Sequence, residues 1–99
     1  MARYDFIAVY IMASQRNGTI YIGVTSDLPT RIHLHRAGKE EGFTKRYGCK
    51  TLVWFEPHGD MASAIRRETQ LKGWRRAWKL RLIEERNPQW LDLYASVVP

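Results

Sequence analysis

The run VYIMASQRNGTIYIG, residues 9–23, supplies the framework of the chain. Two segments rich in Ile, Val and Tyr flank a polar connection, and such segments are typical of β-strands. Asn17-Gly18 lies in the connection, and both residue types tolerate the positive φ of a tight turn. The run therefore predicts a β-hairpin that brings Tyr10 close to Tyr21.

The two strands of this hairpin are predicted at Phe6–Ala13 and Thr19–Val24. Successive side chains of a strand point to opposite faces, so Tyr21 and Gly23 share one face of the second strand. Glycine is also the residue type found where another group must approach the backbone closely. We therefore expect Gly23 to admit a neighbouring group next to the strand.

A short helix is predicted after the hairpin. Ser26 or Asp27 can cap it, and Pro29 suits a first turn whose N–H groups have no helical partners. The helical pattern continues through Arg36, and Gly38 is a suitable C-terminal end.

The polar and basic segment Lys39–Gly48 is predicted to be a loop. A third strand is predicted at Cys49–Glu56, where the continuous apolar run Leu52–Phe55 indicates a strand covered on both faces.

Two more helices are predicted in the C-terminal part. Asp60 caps the first of them, and Gly73 interrupts it. The second carries apolar residues at i, i+4 and i+8, namely Trp74, Trp78 and Leu82. We interpret this stripe as part of the core rather than as a surface on which bases stack. Asn87-Pro88 ends the helix.

The predicted order is β-β-α-β-α-α. Three short strands with helices packed against them form an α+β domain. At 99 residues with 44% hydrophobic composition, the chain is long enough for one domain with a real core. A run of about 18 apolar residues is absent from the sequence, which predicts no membrane span.

The charge favours a polyanionic partner. The formal net charge is +6, and residues 61–99 hold eight Lys/Arg against four Asp/Glu. A basic domain with aromatic residues among its cations is a candidate for nucleic-acid binding, although basic side chains also serve only to solubilise helix faces. The single cysteine, Cys49, excludes an internal disulfide and fits a cytoplasmic location. We interpret Cys49 as a small half-buried residue rather than a nucleophile.

The hairpin resembles that of the GIY-YIG nuclease superfamily, which is named after two tripeptides on adjacent strands. Tyr21-Ile22-Gly23 matches the second tripeptide, whereas Ala8-Val9-Tyr10 stands where Gly-Ile-Tyr is usual. Further along, Arg67–Trp74 looks like the helix that carries the family's glutamate, and Lys79–Ile83 with Asn87–Trp90 looks like the ending of small single-domain bacterial members. The resemblance extends from about Phe6 to Leu93.

The resemblance implies a fold and an activity. The fold would be a three-stranded antiparallel sheet flanked by helices, in one nuclease domain over residues 1–99. The activity would be that of a metal-dependent endonuclease that hydrolyses phosphodiester bonds in DNA, including branched or single-stranded DNA, in repair, recombination or defence. The implied cofactor is one Mg²⁺ or Mn²⁺ ion.

By the same resemblance, Glu68 is the metal ligand and Arg31 the phosphate-binding residue. One carboxylate suits Mg²⁺, which keeps several waters and completes its shell with substrate phosphate. The alternative for Glu68 is a surface ion pair with Lys72 at i+4. Arg31 offers a fork of donors that fits a phosphate. His35 lies one turn further on the same helix and can accept or donate a proton.

Tyr10 and Tyr21 complete the implied catalytic set. A phenol with an ordinary pKa of about 10 is a poor base at neutral pH, although a nearby cation and metal would lower that pKa. The resemblance implies that one tyrosine activates the attacking water, as a base or as a relay. We favour Tyr21, because it lies in the intact tripeptide. Some relatives carry a lysine after the second glycine, where this chain has Val24. Either His35 or Lys45 would then have to substitute, or the base is a different group.

Gly23, Lys45 and Arg46 are predicted to contact nucleic acid, together with Tyr47. His33 is one residue out of phase with His35 and is expected outside the site, and His58 is expected at the surface.

Two other hypotheses stand beside the nuclease. The domain could be a nucleic-acid-binding module that cleaves too slowly to matter, or a basic adaptor that uses its Trp-rich helices as a contact face. Phosphate binding must weaken as salt rises, which separates the last hypothesis from the others. The oligomeric state stays open, with a monomer favoured.

Overall fold

The computed structural model describes residues 6–38 and 42–98. Within them the chain forms three strands and five helices: β1 (Ala8–Ala13), β2 (Ile20–Thr25), α1 (Leu28–Arg36), α2 (Phe43–Tyr47), β3 (Thr51–Pro57), α3 (Met61–Lys72), α4 (Arg76–Arg86) and α5 (Tyr94–Val97). The predicted α+β class with a three-stranded antiparallel sheet is confirmed. Two short helices, α2 and α5, were not predicted.

The sheet is built around β1. Its strand order is β2-β1-β3, with both pairings antiparallel, and all six residues of β1 are buried. The predicted hairpin is confirmed, with Asn17 in the left-handed region at φ 59°. The amide of Gly18 donates to the carbonyl of Gln15 at 2.9 Å and closes the turn. The short turn joins the central strand β1 to the edge strand β2, and β3 pairs with the other side of β1.

A bulge in β3 distributes its apolar run over the two faces. Pairing along β1 shifts from Ile11 opposite Trp54 to Met12 opposite Leu52, so Val53 is the extra residue. Val53 and Trp54 consequently contact one apolar cluster, whereas Leu52 contacts the other. The prediction that this strand is covered on both faces is confirmed, although the strand begins at Thr51 rather than at Cys49.

Each face of the sheet has its own helical layer. Residues of α3 and α4, among them Ala64, Leu71 and Ile83, pack with Ile11 and Trp54 on one face. On the other face, α1 and α5 cover the sheet, and their buried residues there include Leu28, Ile32 and Val97. Among the described residues, none of the helices has the length and apolar character to cross a bilayer.

Both predicted N-cap positions are occupied as expected, but only one of the two side chains makes a capping hydrogen bond. Asp60 caps α3, because its side chain accepts from the amide of Ser63 at 2.7 Å, and this bond lowers the pKa of the Asp60 carboxyl. Asp27 holds the N-cap position of α1, and Pro29 lies in its first turn. Gly73 follows the last residue of α3, as predicted.

The segment Lys39–Gly48 is not simply a loop. Phe43–Tyr47 forms the short helix α2, while residues 39–41 lie outside the described residues. A five-residue helix leaves too little periodicity in the sequence to be recognised, because it makes little more than one turn.

The prediction that Trp74, Trp78 and Leu82 form a core stripe is wrong for Trp78. Trp74 precedes α4 and, like Leu82, is half-buried against the core, but Trp78 is 45% exposed. The buried residue of α4 is Ile83, which lies about 140° around the helix from Trp78 at 3.6 residues per turn. The tertiary packing thus turns a different side of α4 inward.

Asn87 joins the end of α4 to β3 and to the segment that follows. It is buried, and its amide nitrogen donates to the carbonyls of Val53 at 3.0 Å and Leu91 at 2.9 Å. Its amide oxygen accepts from the backbone N–H of Leu91 at 2.9 Å. The residue predicted to end the helix therefore also ties two elements together.

Asn87→Ala removes these three bonds from a buried position. We expect the free energy of unfolding to fall by about 2–3 kcal/mol, because buried polar groups that lose their partners are costly. Urea denaturation measures this loss, and Gln89→Ala, at an exposed position two residues away, is the control. Equal midpoints for the two variants would contradict the structural role of Asn87.

Candidate active site

Three aromatic side chains from three different elements meet on the α1 side of the sheet. Tyr10 comes from β1, Tyr21 from β2 and His35 from α1. The ring centroids of Tyr10 and Tyr21 are 6.2 Å apart, and each lies 5.8 Å from that of His35. The structure therefore brings together the two tyrosines and the histidine of the predicted catalytic set.

The strand register places Tyr10 directly over Gly23. The two residues are partners in the β1–β2 ladder. A Cβ atom at position 23 would lie 2.6 Å from both Cζ and Oη of Tyr10 and 2.9 Å from Cε2 of Tyr21. The tripeptide thus requires glycine because the two tyrosine rings occupy the space of a side chain. The contact of Gly23 with a phosphate remains a prediction.

The three rings differ in their access to solvent. Tyr10 is fully buried and His35 is 4% exposed, whereas Tyr21 is half-buried. Oη of Tyr10 lies 3.0 Å from Nε2 of His35, within hydrogen-bond distance. Tyr10 and His35 therefore form a buried pair, and Tyr21 is the member of the cluster that a water molecule can reach.

Arg31 lies on α1 one turn before His35 and is half-buried. A spacing of four residues places the two side chains on the same side of the helix. Arg31 therefore lies in the same helical layer as His35. His33 is exposed and lines a separate cleft with Lys50 and Asp92, away from His35 on the helix.

Glu68 lies on the side of α3 that faces the sheet. It falls between Ala64 and Leu71, both fully buried, at the i, i+4, i+7 positions of one stripe. The Glu68 side chain is only 16% exposed, and a carboxylate oxygen lies 3.0 Å from Nζ of Lys72, whose side chain is 53% exposed. The ion pair with Lys72 forms, but the carboxylate is not on an open surface.

The two parts of the predicted site reach the sheet from opposite faces. The tyrosines belong to the apolar cluster beneath α1, whereas α3 packs with the other cluster. The edge strand β2 connects them, because it carries Tyr21 and also contacts α3.

The carboxylate of Glu68 is of a type that could hold a metal ion. Within the described residues no group of three or more His, Cys, Asp or Glu side chains is close enough to form a dense protein site. A single carboxylate fits Mg²⁺, which is commonly bound by one or two carboxylates together with waters and substrate phosphates. The exposed Lys72 is free to move to another rotamer, so its ion pair does not block such an ion. The residues present therefore fit one Mg²⁺ or Mn²⁺.

The predicted nucleic-acid contacts on α2 are exposed. Lys45 and Arg46 lie in this helix, and the guanidinium carbon of Arg46 is 5.6 Å from the centroid of the Tyr47 ring. Their contact with nucleic acid remains a prediction.

Two further side chains were assigned from sequence and can now be placed. Cys49 is fully buried rather than half-buried, and desolvation raises the pKa of its thiol, which disfavours the nucleophilic thiolate. His58 is not simply a surface residue, because it is half-buried between Glu56, at 2.8 Å, and Ser63, at 3.0 Å. Glu56 also accepts from Nε of Arg67 at 3.1 Å. This network crosses from β3 to α3, so local sequence carries no signal for it.

The contact of Arg76 with the hairpin turn was not predicted from the sequence. Its guanidinium donates to the turn carbonyls of Asn17, at 3.0 Å, and Gly18, at 2.7 Å, and so joins α4 to the hairpin. Arg76 and Lys79 line a cleft of about 600 Å³ against that turn. The basic pair Arg75-Arg76 at the start of a helix was visible in the sequence, but its partner was not.

Gly23→Ala tests the packing of the tyrosine cluster. We expect a fall of roughly 1–3 kcal/mol in the free energy of unfolding, because the new methyl group would force the Tyr10 ring to move. Gly59→Ala is the matched control, since nothing lies within 4 Å of a Cβ built there. Chemical denaturation measures both, and a Gly23→Ala protein as stable as the Gly59→Ala protein would contradict the packing argument.

Comparison with known proteins identifies the family. A family model described as the GIY-YIG catalytic domain matches residues 6–81. A UPF0213 protein of Staphylococcus haemolyticus is 38% identical over 78 residues, which cover 79% of this chain and 94% of that protein. One of Aeromonas salmonicida is 33% identical over 75 residues, which cover 76% of this chain and 54% of that protein.

A solved structure agrees with the fold. The solution NMR structure of a UPF0213 protein from Bacillus halodurans superposes with a TM-score of 0.55 at 28% sequence identity and covers 87% of this chain and 90% of that one. Residues 6–81, which the family model matches, contain both the tyrosine cluster and the glutamate of α3. The chain therefore belongs to the GIY-YIG nuclease superfamily and is related within it to the small UPF0213 proteins.

Proposed function

We propose that this chain is a metal-dependent endonuclease that hydrolyses phosphodiester bonds in DNA. The observation that carries the proposal is the convergence of Tyr10, Tyr21 and His35 from three elements, with ring centroids no more than 6.2 Å apart. The burial of Glu68 in the stripe of α3 that faces the sheet supports it. A carboxylate that served only to solubilise the helix would be more stable on the outer side, where it stays hydrated.

Tyr21 is the residue that we assign to the attacking water. Its hydroxyl orients the water and takes part in the transfer of its proton, as general acid–base chemistry requires. Tyr10 does not contact solvent, and through the 3.0 Å bond it holds the His35 ring beside Tyr21. Tyr10 is thus a positioning residue.

The absence of a lysine after Gly23 points to His35 as its substitute. Val24 packs against the apolar cluster on the α3 side of the sheet, so this position supplies no cation near Tyr21. The imidazole of His35 lies next to the Tyr21 ring, and it can accept a proton or share one at neutral pH. We therefore assign to His35 the role that relatives give to that lysine.

Arg31 and Glu68 act on the phosphate. The guanidinium of Arg31 binds phosphate oxygens and stabilises the charge that develops on them. Glu68 would hold Mg²⁺ or Mn²⁺, which when bound stabilises negative charge on the phosphate as a Lewis acid.

Basic side chains continue outward from Glu68. Lys72 pairs with Glu68, and Nζ of Lys79 donates to the backbone carbonyl of Lys72 at 3.4 Å. Lys79 and Arg76 then line the cleft beside the hairpin turn. A positive path next to the proposed site suits the phosphates of a nucleic-acid strand.

Cleavage of a substrate panel tests the proposal. The panel contains labelled duplex, forked, four-way-junction and single-stranded DNA, and RNA, each incubated with Mg²⁺, Mn²⁺ or EDTA. We expect cleavage of DNA that needs the metal and that Glu68→Ala lowers by at least about 100-fold, since loss of a metal ligand costs no less than loss of the groups that support it.

Two controls separate the metal site from a structural ion pair. Thr69→Ala changes an exposed neighbour on the same helix, and Lys72→Ala removes the partner of Glu68 but keeps the carboxylate. We expect both variants to retain metal-dependent cleavage within about 10-fold of the wild type, because the metal ligand remains. If Glu68→Ala and Lys72→Ala impaired cleavage equally, the ion-pair explanation would replace the metal site. If the wild type bound DNA but cut none of the panel, the endonuclease proposal would fail.

A further inference from the structure

A cleft along α4 exposes an aromatic surface that the core does not use. It has a volume of about 330 Å³ and lies against Trp74 and Trp78, with Arg81, Leu82 and Glu85 completing its lining. The two tryptophan rings meet edge to face at 6.1 Å, and Trp78 is 45% exposed. An indole left open to this extent loses the stabilisation that burial would provide. Its exposed face, next to the half-buried indole of Trp74, is accessible to a ligand.

Arginines surround the two rings. The guanidinium carbon of Arg75 lies 5.2 Å from the centroid of Trp78, and that of Arg67 lies 5.5 Å from the centroid of Trp74. Such cation–π contacts hold the rings in place and bring positive charge next to an aromatic surface. This combination is the one by which proteins bind single nucleic-acid strands, with bases stacked on rings and phosphates near cations.

The rim of the cleft carries one donor group and one acceptor group. Arg81 and Glu85 are one helical turn apart, and within the described residues neither side chain makes a hydrogen bond or an ion pair. A guanidinium and a carboxylate that do not pair with each other can both bind the edge of a base. Guanine offers two acceptors, O6 and N7, to the fork of the guanidinium and an amino donor at N2 to the carboxylate, whereas adenine has a donor, N6, beside N7 and cannot accept both arms of the fork.

We infer that Trp78 stacks on an unpaired base of the bound nucleic acid, with Arg81 and Glu85 at the edge of that base and a preference for guanine. The inference rests on the proposed function and specifies its substrate as nucleic acid with a base outside a duplex. In a duplex the faces of a base are covered by its neighbours, so the Trp78 ring has no access to them.

Charge argues against a second copy of the chain as the occupant. Three arginines, Arg67, Arg75 and Arg81, lie at the cleft against the single carboxylate of Glu85, so a symmetric contact would bring two surfaces of net positive charge together. Like charges placed together across an interface cost binding energy, whereas a polyanion neutralises them.

Binding measurements on the wild type in EDTA, where no metal-dependent cleavage occurs, provide the test. Fluorescence anisotropy is recorded with a labelled single strand and with a duplex of the same sequence. We expect Trp78→Leu to weaken single-strand binding by about 10-fold or more, because one stacked base is lost, with little change for the duplex. Trp78→Phe keeps an aromatic face and should remain within about 3-fold of the wild type.

Leu91→Ala is the control for loss of an exposed apolar side chain, since Leu91 is 63% exposed and lies outside the cleft. Equal single-strand affinities for Trp78→Leu and Leu91→Ala would overturn the inference. So would a self-association by the wild type that Trp78→Leu abolishes and that salt does not affect, because the cleft would then be a contact between copies.

The edge contacts have a test of their own. An oligothymidylate with one central guanine should bind the wild type more tightly than the same strand with a central adenine, and Arg81→Ala should remove the difference. Equal binding of the two strands by the wild type would refute the assignment of Arg81 and Glu85.

Failure of this inference is distinct from failure of the proposed function. A wild type that binds single strands through Trp78 but cuts no nucleic acid would keep the base site and lose the endonuclease. A wild type that cuts DNA with a KM unchanged by Trp78→Leu would keep the endonuclease and lose the base site.

Discussion

The buried hydroxyl of Tyr10 needs a hydrogen-bond partner inside the protein, and His35 provides one at 3.0 Å. This bond fixes α1 over the centre of the sheet, since Tyr10 lies on the middle strand. It is possible only because Gly23 leaves the space that the ring occupies. The tyrosine, the glycine and the histidine thus form one packing unit, from which Tyr21 projects toward solvent.

On the other face of the sheet, Glu68 is a charged residue at a position where folding alone favours an apolar one. An apolar residue between Ala64 and Leu71 would extend the core-facing stripe of α3. A carboxylate there must keep a partner, and Lys72 supplies it from a side chain that remains exposed. Functional sites commonly break local folding rules in this way, which motivates the roles that we propose for Glu68 and for the exposed Trp78 on α4.

Local pattern predicted most of the sheet and much of the site. The period of two along β1 and β2 was enough to place the tyrosines and Gly23, because side chains alternate in any regular strand. The residue types of the tripeptide and of the α3 helix then identified the superfamily. The prediction went wrong where the pattern was short or where several patterns competed. The helix α2 makes little more than one turn, and α4 has apolar residues on more than one side, so the sequence did not show which side would face inward.

The sequence alone therefore specified the hairpin, the antiparallel α+β class and the residue types available for phosphate chemistry, since each depends on spacing within one segment. Which segments contact each other was decided only by the tertiary structure. The ring of Tyr10 fills the space over Gly23, His58 lies between β3 and α3, and Trp78 faces outward. The first depends on the register of β1 with β2, the second on the hydrogen bonds of His58 to Glu56 and Ser63, and the third on the burial of Ile83. Such features arise from packing between elements distant in sequence, and no local period records them.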